Sequence, residues 1–180
     1  MNESFVIQGQ NGRKELSGRI EVSGSKNAAL PIIAAATMVP GETHLEPIPS
    51  IRDIDSMGRL IERIGAYVTR SGSQMTVSTK DMTGTVLDSE LSKAMRASVL
   101  LSGPLLARFG RVTFPHPGGC VLGSRPIDLF ISAFQTLGAQ YSEDDETYTL
   151  SAPEGLSGGE IFFRTVSVTA TETVMMAATL

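Results

Sequence analysis

Ser23-Gly24-Ser25-Lys26-Asn27 places a lysine in the first turn of a strand-to-helix junction. A helix N-terminus presents backbone N–H groups with no intrahelical partner and the positive end of the helix dipole, which suits phosphate or carboxylate. Lys26 adds a compact point charge. An exposed lysine in a first turn reads the same way, so the junction alone leaves both meanings open.

A second concentration of chemistry runs from Lys93 to Arg125. Five basic residues (Lys93, Arg96, Arg108, Arg111, Arg125) occur there with no acidic one. In a chain of net charge −4 this is either an anion site or a set of basic side chains on solvated helix faces. Inside the stretch, residues 116–126 (His-Pro-Gly-Gly-Cys-Val-Leu-Gly-Ser-Arg-Pro) read as a loop, and loops carry function more often than the elements they join. Its glycines permit close backbone approach to a ligand. Cys120 lies near Arg125, and a positive neighbour favours thiolate. A small buried hydrophobe is the other reading of that cysteine.

Repetition supplies the elements that must hold these groups. Ser25 and Ser167 lie 142 residues apart, each following an apolar–polar stretch (18–22 and 160–164) and preceding an Ala-rich run. Near half that offset a middle copy is visible: Leu105-Leu106-Ala107 falls 71 residues after Ala34-Ala35-Ala36. Alternation predicts a strand over 19–23, followed by a helix over 27–38 with Ser25 as N-cap. A short strand over 43–46 leads to a helix over 52–64, with Ile54, Met57, Leu60, Ile61 and Ile64 on one face and Gly65 closing it. Residues 67–70 and 74–78 pair as a hairpin. The second copy ends alike, with a helix over 128–137, Gly138, and strands near 140–142 and 148–151. The acidic run Glu143-Asp144-Asp145-Glu146 between them reads as a solvated turn. Thr169-Ala170-Thr171-Glu172 fits a capping box. The third copy stops at Leu180 inside its first helix, so the chain reads as two and a half repeats and as a fragment of a longer protein.

Composition bounds the class. With 180 residues, 41% apolar and 19% charged, the chain can bury a core and is not disordered, collagen-like or a disulfide scaffold. One cysteine makes no internal disulfide and points to a reducing compartment. A net charge of −4 offers no basic field for nucleic acid or anionic lipid. The longest apolar-rich stretch, 28–39, is too short to span a membrane and contains Pro31. The N-terminus lacks a basic region and an apolar core of the secretory kind. A soluble cytoplasmic protein is expected, with no membrane or nucleic-acid partner.

Taken together, these segments resemble the UDP-N-acetylglucosamine enolpyruvyl transferase family, a branch of the EPSP synthase superfamily. The resemblance rests on Ser23 to Pro31, Met95-Arg96-Ala97-Ser98, Gly103 to Gly110, Pro117-Gly118-Gly119-Cys120 and Gly123 to Leu129, in order along essentially the whole chain. It implies an α/β fold of repeated βαβαββ units, an inside-out α/β barrel built as two similar domains in proteins more than twice this long. Residues 1–20 would then pack with the second domain, and 21–180 would form an incomplete first domain. The implied reaction moves the enolpyruvyl group of phosphoenolpyruvate to the 3′-hydroxyl of UDP-N-acetylglucosamine and releases phosphate. That is the first committed step of peptidoglycan synthesis, in a bacterial cytoplasm, and it needs no metal or organic cofactor.

Carried over residue by residue, Lys26 and Asn27 would contact phosphoenolpyruvate. Arg96 and Arg125 would bind anionic substrate groups. Arg125, Pro126, Ile127, Asp128 and Leu129, with Ser167 and Val168, would line the nucleotide-sugar site. Cys120 matches a mobile-loop general acid that also forms a covalent adduct with phosphoenolpyruvate. The family often carries lysine where Thr165 stands and glycine where Thr169 stands, and its catalytic aspartate would lie beyond Leu180. The alternatives are a 5-enolpyruvylshikimate-3-phosphate synthase-like enzyme, an RNA 3′-phosphate cyclase built on the same unit, and a non-catalytic module that binds nucleotide sugar.

Overall fold

A computed structural model describes residues 4–9, 12, 15, 17–116 and 127–180. The first unit opens with α1 (Lys26–Ala36), which buries Ala29, Leu30, Ile33, Ala34 and Ala36 and is apolar on nearly every side. Such a helix belongs between layers. Pro31 lies within it. The missing N–H of Pro31 leaves the Asn27 carbonyl, four residues back, without its usual intrahelical donor.

After β1 (Glu42–Leu45) comes α2 (Arg52–Arg63), whose buried face is Ile54, Met57, Gly58, Leu60 and Ile61. Asp53 and Asp55 stand in its first turn and Arg63 in its last, the polarity that the helix dipole favours. The chain then reverses at Gly65, at φ 100, into β2 (Tyr67–Ser71) and β3 (Gln74–Ser78). β3 sits between β1 and β2 and is antiparallel to both, with Val77 opposite Thr43 on one side and Val68 on the other.

The second unit repeats this plan with an altered entrance. α3 (Ser89–Ala94), capped by Asp88 on the Leu91 N–H at 2.9 Å, leads through a 3-10 helix (Arg96–Leu101) into α4 (Ser102–Phe109). Then follow β4 (Arg111–Pro115), α5 (Asp128–Thr136), β5 (Gln140–Glu143) and β6 (Thr147–Ser151). The sheet order β4-β6-β5 matches β1-β3-β2. Residues 85–87 add a parallel segment beside β4: Leu87 N–H donates to Thr113 O at 2.9 Å, and Thr113 N–H to Thr85 O at 2.8 Å. The acidic run is the turn between β5 and β6. Asp144 accepts there from the Glu146 and Thr147 N–H groups and the Thr147 hydroxyl, which hold its carboxyl below the ordinary range.

α6 (Val168–Ala177) opens the third unit and packs on α4, α5 and α1. It lies so close to α4 that a Cβ on Gly103 would stand 2.2 Å from the Thr173 carbonyl oxygen. One core runs through both units, with Ile33, Ile54, Leu60, Leu101, Leu105 and Phe134 essentially inaccessible. Arg108 of α4 ties them together, donating to Thr37 O at 2.8 Å and to Thr79 O at 3.0 Å.

Two expectations need correction. Residues 19–23 do not form a strand: Ile20 and Val22 are about nine-tenths exposed, at 89% and 93%, and no described strand pairs with them. Alternation marks a face that could be buried, but a strand also needs a neighbour for its backbone groups. The cap of α6 is Ser167, whose side chain accepts from Ala170 N–H at 3.2 Å, rather than Thr169 in a capping box. No helix among the described residues is long and apolar enough to cross a membrane.

Candidate functional site

The N-terminal ends of α1, α2, α5 and α6 and the start of the 3-10 helix line one cleft of about 790 Å³. Lys26 and Asn27 come to it from α1, Asp53 from α2, and Arg96 from the 3-10 helix. Asp128 and Leu129 come from α5, and Ser167, Val168 and Thr169 from α6. Repetition explains the convergence: each copy begins its helices at the same end of the unit, so packed copies aim several positive dipole ends at one space.

Gly24 fixes the approach of α1. A Cβ there would meet the Pro47 carbonyl oxygen at 2.3 Å, so only glycine lets the chain enter the helix pressed against residues 47–49. Ser25 stands at the N-cap but makes no side-chain cap hydrogen bond. The first intrahelical bond of α1 is Ala29 N–H to Ser25 O, which leaves the N–H groups of Lys26, Asn27 and Ala28 outside the helix ladder.

Charge in the cleft is nearly balanced. Lys26 Nζ lies 3.1 Å from Asp53 Oδ2. Arg164 pairs with Asp128 Oδ2, while Asp128 Oδ1 is buried with no hydrogen-bond partner among the described residues. Glu172, one turn into α6, also lines the cleft, and burial pushes its carboxyl above the usual range.

Of the residues singled out in the sequence, Lys26, Asn27, Arg96, Asp128, Leu129, Ser167 and Val168 line this cleft. Ile127 does not. It is 7% exposed, packs into the core and stands at the N-cap of α5. Cys120, Arg125 and Pro126 lie outside the described residues. The basic stretch divides in use: Arg96 is at the cleft, and Lys93 and Arg111 are exposed. Arg108 is the internal brace, its pKa lowered by burial.

Sequence reasoning did not place Asp53, Arg164 or Glu172 at a site; it offered Glu172 only as the acid of a capping box. Asp53 carried a usable signal, as an acid in the first turn of an amphipathic helix. Nothing local marked Arg164, whose partner is 36 residues away.

The fold is that of the enolpyruvyl transferases. The enolpyruvyl transferase NikO from Streptomyces tendae superposes with a TM-score of 0.73 at 20% identity, over 90% of this chain and 38% of that one. EPSP synthase from Acinetobacter baumannii gives 0.63 at 18% identity, over 89% and 37%. The family model for EPSP synthase (3-phosphoshikimate 1-carboxyvinyltransferase) matches residues 10–180, and the chain belongs to that family. Its curated relatives include two named UDP-N-acetylglucosamine 1-carboxyvinyltransferase. That of a Nitratiruptor species is 38% identical over 169 residues, 94% of this chain and 40% of the relative. That of a Psychrobacter species is 41% identical over 180 residues, 99% of this chain and 41% of the relative. The chain therefore spans about 40% of the length of these relatives.

Proposed function

We propose that this chain contributes the cleft described above to an enolpyruvyl transferase that uses phosphoenolpyruvate and UDP-N-acetylglucosamine. The observation that carries the reading is the meeting of Lys26, Asn27, Arg96 and the N-terminal ends of α1, α5 and α6 around one space. Relatives at 38% and 41% identity bear the name of that activity. Lys26, Asn27 and the open N–H groups of α1 hold the phosphate and carboxylate of phosphoenolpyruvate. Arg96 adds charge-assisted hydrogen bonds of about 1.5–3 kcal/mol each. Asp128, Leu129, Ser167 and Val168, with Arg125 and Pro126, take the nucleotide sugar.

The acceptor 3′-hydroxyl adds to C2 of phosphoenolpyruvate and gives its own proton to a base, while C3 gains a proton from an acid. The 3′-oxygen then keeps the enolpyruvyl group as C3 gives up a proton and the C2–O bond to phosphate breaks. Cys120 supplies the proton to C3, a role worth about 10²–10⁴-fold. Residues 1–20 belong with a second domain that completes the cleft. Their exposed Phe5, Val6 and Ile7 are apolar side chains that such a domain would cover. The reaction feeds peptidoglycan synthesis in a bacterial cytoplasm.

The test is phosphate release from phosphoenolpyruvate, with UDP-N-acetylglucosamine as acceptor, by a protein of the relatives' length containing this chain. Turnover is expected, with Cys120→Ser losing most of it and Cys120→Asp keeping it. The description of the family model favours one second reading, with shikimate 3-phosphate as acceptor. Turnover with that acceptor and none with the nucleotide sugar would establish it.

A further inference from the structure

Among the described residues three carboxylates line the cleft, and they are not equivalent. Asp53 is engaged by Lys26, and Asp128 by Arg164. Glu172 has no hydrogen bond or ion pair among the described residues, although it is partly buried and lines the same space. It stands four residues after Val168 and three after Thr169, so α6 presents all three on one face. Burial raises its pKa, so holding this carboxylate ionised carries a desolvation cost, and no ion pair among the described residues offsets it. Asp128 Oδ1 also has no partner among the described residues, but it is buried, whereas Glu172 is partly exposed at the cleft wall, within a ligand's reach.

We propose that Glu172 is a specificity-determining residue that accepts a hydrogen bond from a neutral donor of the nucleotide sugar, a hydroxyl or an N–H. The inference rests on the transferase reading above and deepens it. Phosphoenolpyruvate is almost wholly an acceptor at neutral pH and gains nothing from a carboxylate. A nucleotide sugar carries ribose and sugar hydroxyls, an imide N–H and an acetamido N–H beside its phosphates. A cleft with cations, open helix N–H groups and a carboxylate unpaired among the described residues therefore suits a ligand with both kinds of group. Glu172 disfavours a second simple anion at the α6 end of the cleft.

The experiment compares wild type, Glu172→Ala and Glu172→Gln in the protein of the relatives' length, with KM for each substrate, kcat and thermal stability as readouts. Glu172→Ala is expected to raise KM for UDP-N-acetylglucosamine about tenfold or more. KM for phosphoenolpyruvate and kcat should stay within about twofold, a separation that general damage to the fold would not produce. Glu172→Gln keeps an acceptor oxygen without the charge. It should show a smaller rise in KM with a Tm at or above wild type, because the desolvated charge is gone. Unchanged KM for the nucleotide sugar in both variants overturns the inference. So does a loss of Tm in Glu172→Gln with both KM values rising together, which marks a structural role. A wild type that turns over with shikimate 3-phosphate but not with the nucleotide sugar overturns the nucleotide-sugar reading on which the inference rests.

Discussion

The N-terminal ends of α1 and α6 occupy corresponding places in two copies of one unit, and both face the cleft, yet they are finished differently. Ser167 folds its hydroxyl back onto Ala170 N–H and closes its own helix. Ser25 makes no such bond. Lys26 and Asn27 in α1 stand where α6 has Val168 and Thr169, and Gly24 stands where the third copy has Val166. Gly24 is wedged against Pro47, whereas Val166 is 95% exposed. The same scaffold position thus serves as a helix start with a side-chain cap in one copy and as an uncapped start that carries a lysine in the other. Repetition fixes where a helix points; one or two side chains decide what its end can bind.

The contrast can be broken most severely at Gly24. Gly24→Ala drives a Cβ to 2.3 Å from a carbonyl oxygen, and the chain must move. A loss of about 2–3 kcal/mol is expected in chemical denaturation, along with misplacement of Lys26. Val166→Gly at the exposed counterpart should change stability by less than about 1 kcal/mol. Next in size is Lys26→Ala, expected to lower kcat/KM for phosphoenolpyruvate at least about tenfold, against little change for Val168→Ala. Equal effects of the two would remove the distinction between the ends.

Ser167→Ala removes a working cap and should cost about 1 kcal/mol of stability, read as a fall in Tm. The smallest effect belongs to Ser25→Ala. With no cap bond to lose, it should shift stability by no more than a few tenths of a kcal/mol, and a loss as large as that of Ser167→Ala would show that Ser25 caps after all.

Much of this was legible because it is local. Ile54, Met57, Leu60 and Ile61 recur at helical spacing, Gly65 supplies the positive φ that ends their helix, and α2 follows the expected range closely. The hairpins and the acidic turn were equally plain. The repeat marked Ser25 and Ser167 as equivalent helix starts, and the resemblance added Asn27, Asp128, Leu129 and Val168; seven of the singled-out residues line one cleft. What escaped depends on contacts distant in sequence. The alternation at 19–23 has the look of a strand, but pairing is settled by a partner elsewhere. In the second copy α3 stands where the first has residues 18–23, and the 3-10 helix stands where the first has the start of α1; neither is long enough to leave a periodic trace. Arg108 counted as one more cation in a basic stretch, although its work is to satisfy two carbonyls of another unit. Arg164 and Asp128 each look like ordinary surface charges until the fold sets them together.

That Arg108 brace has a mechanical meaning as well. Thr37 closes α1 and Thr79 follows β3, so the guanidinium from α4 clasps the two places where the chain leaves the first unit's central helix and its central strand. A repeat array held only by apolar contact can fray one bead at a time. Opening the first unit would strand the partly buried Arg108 cation, and opening the second would strand the Thr37 and Thr79 carbonyls, so the two units are expected to share one opening event. Their slowest-exchanging amides, in β3 and in β6, should report a common free energy in native-state hydrogen exchange rather than two separate ones.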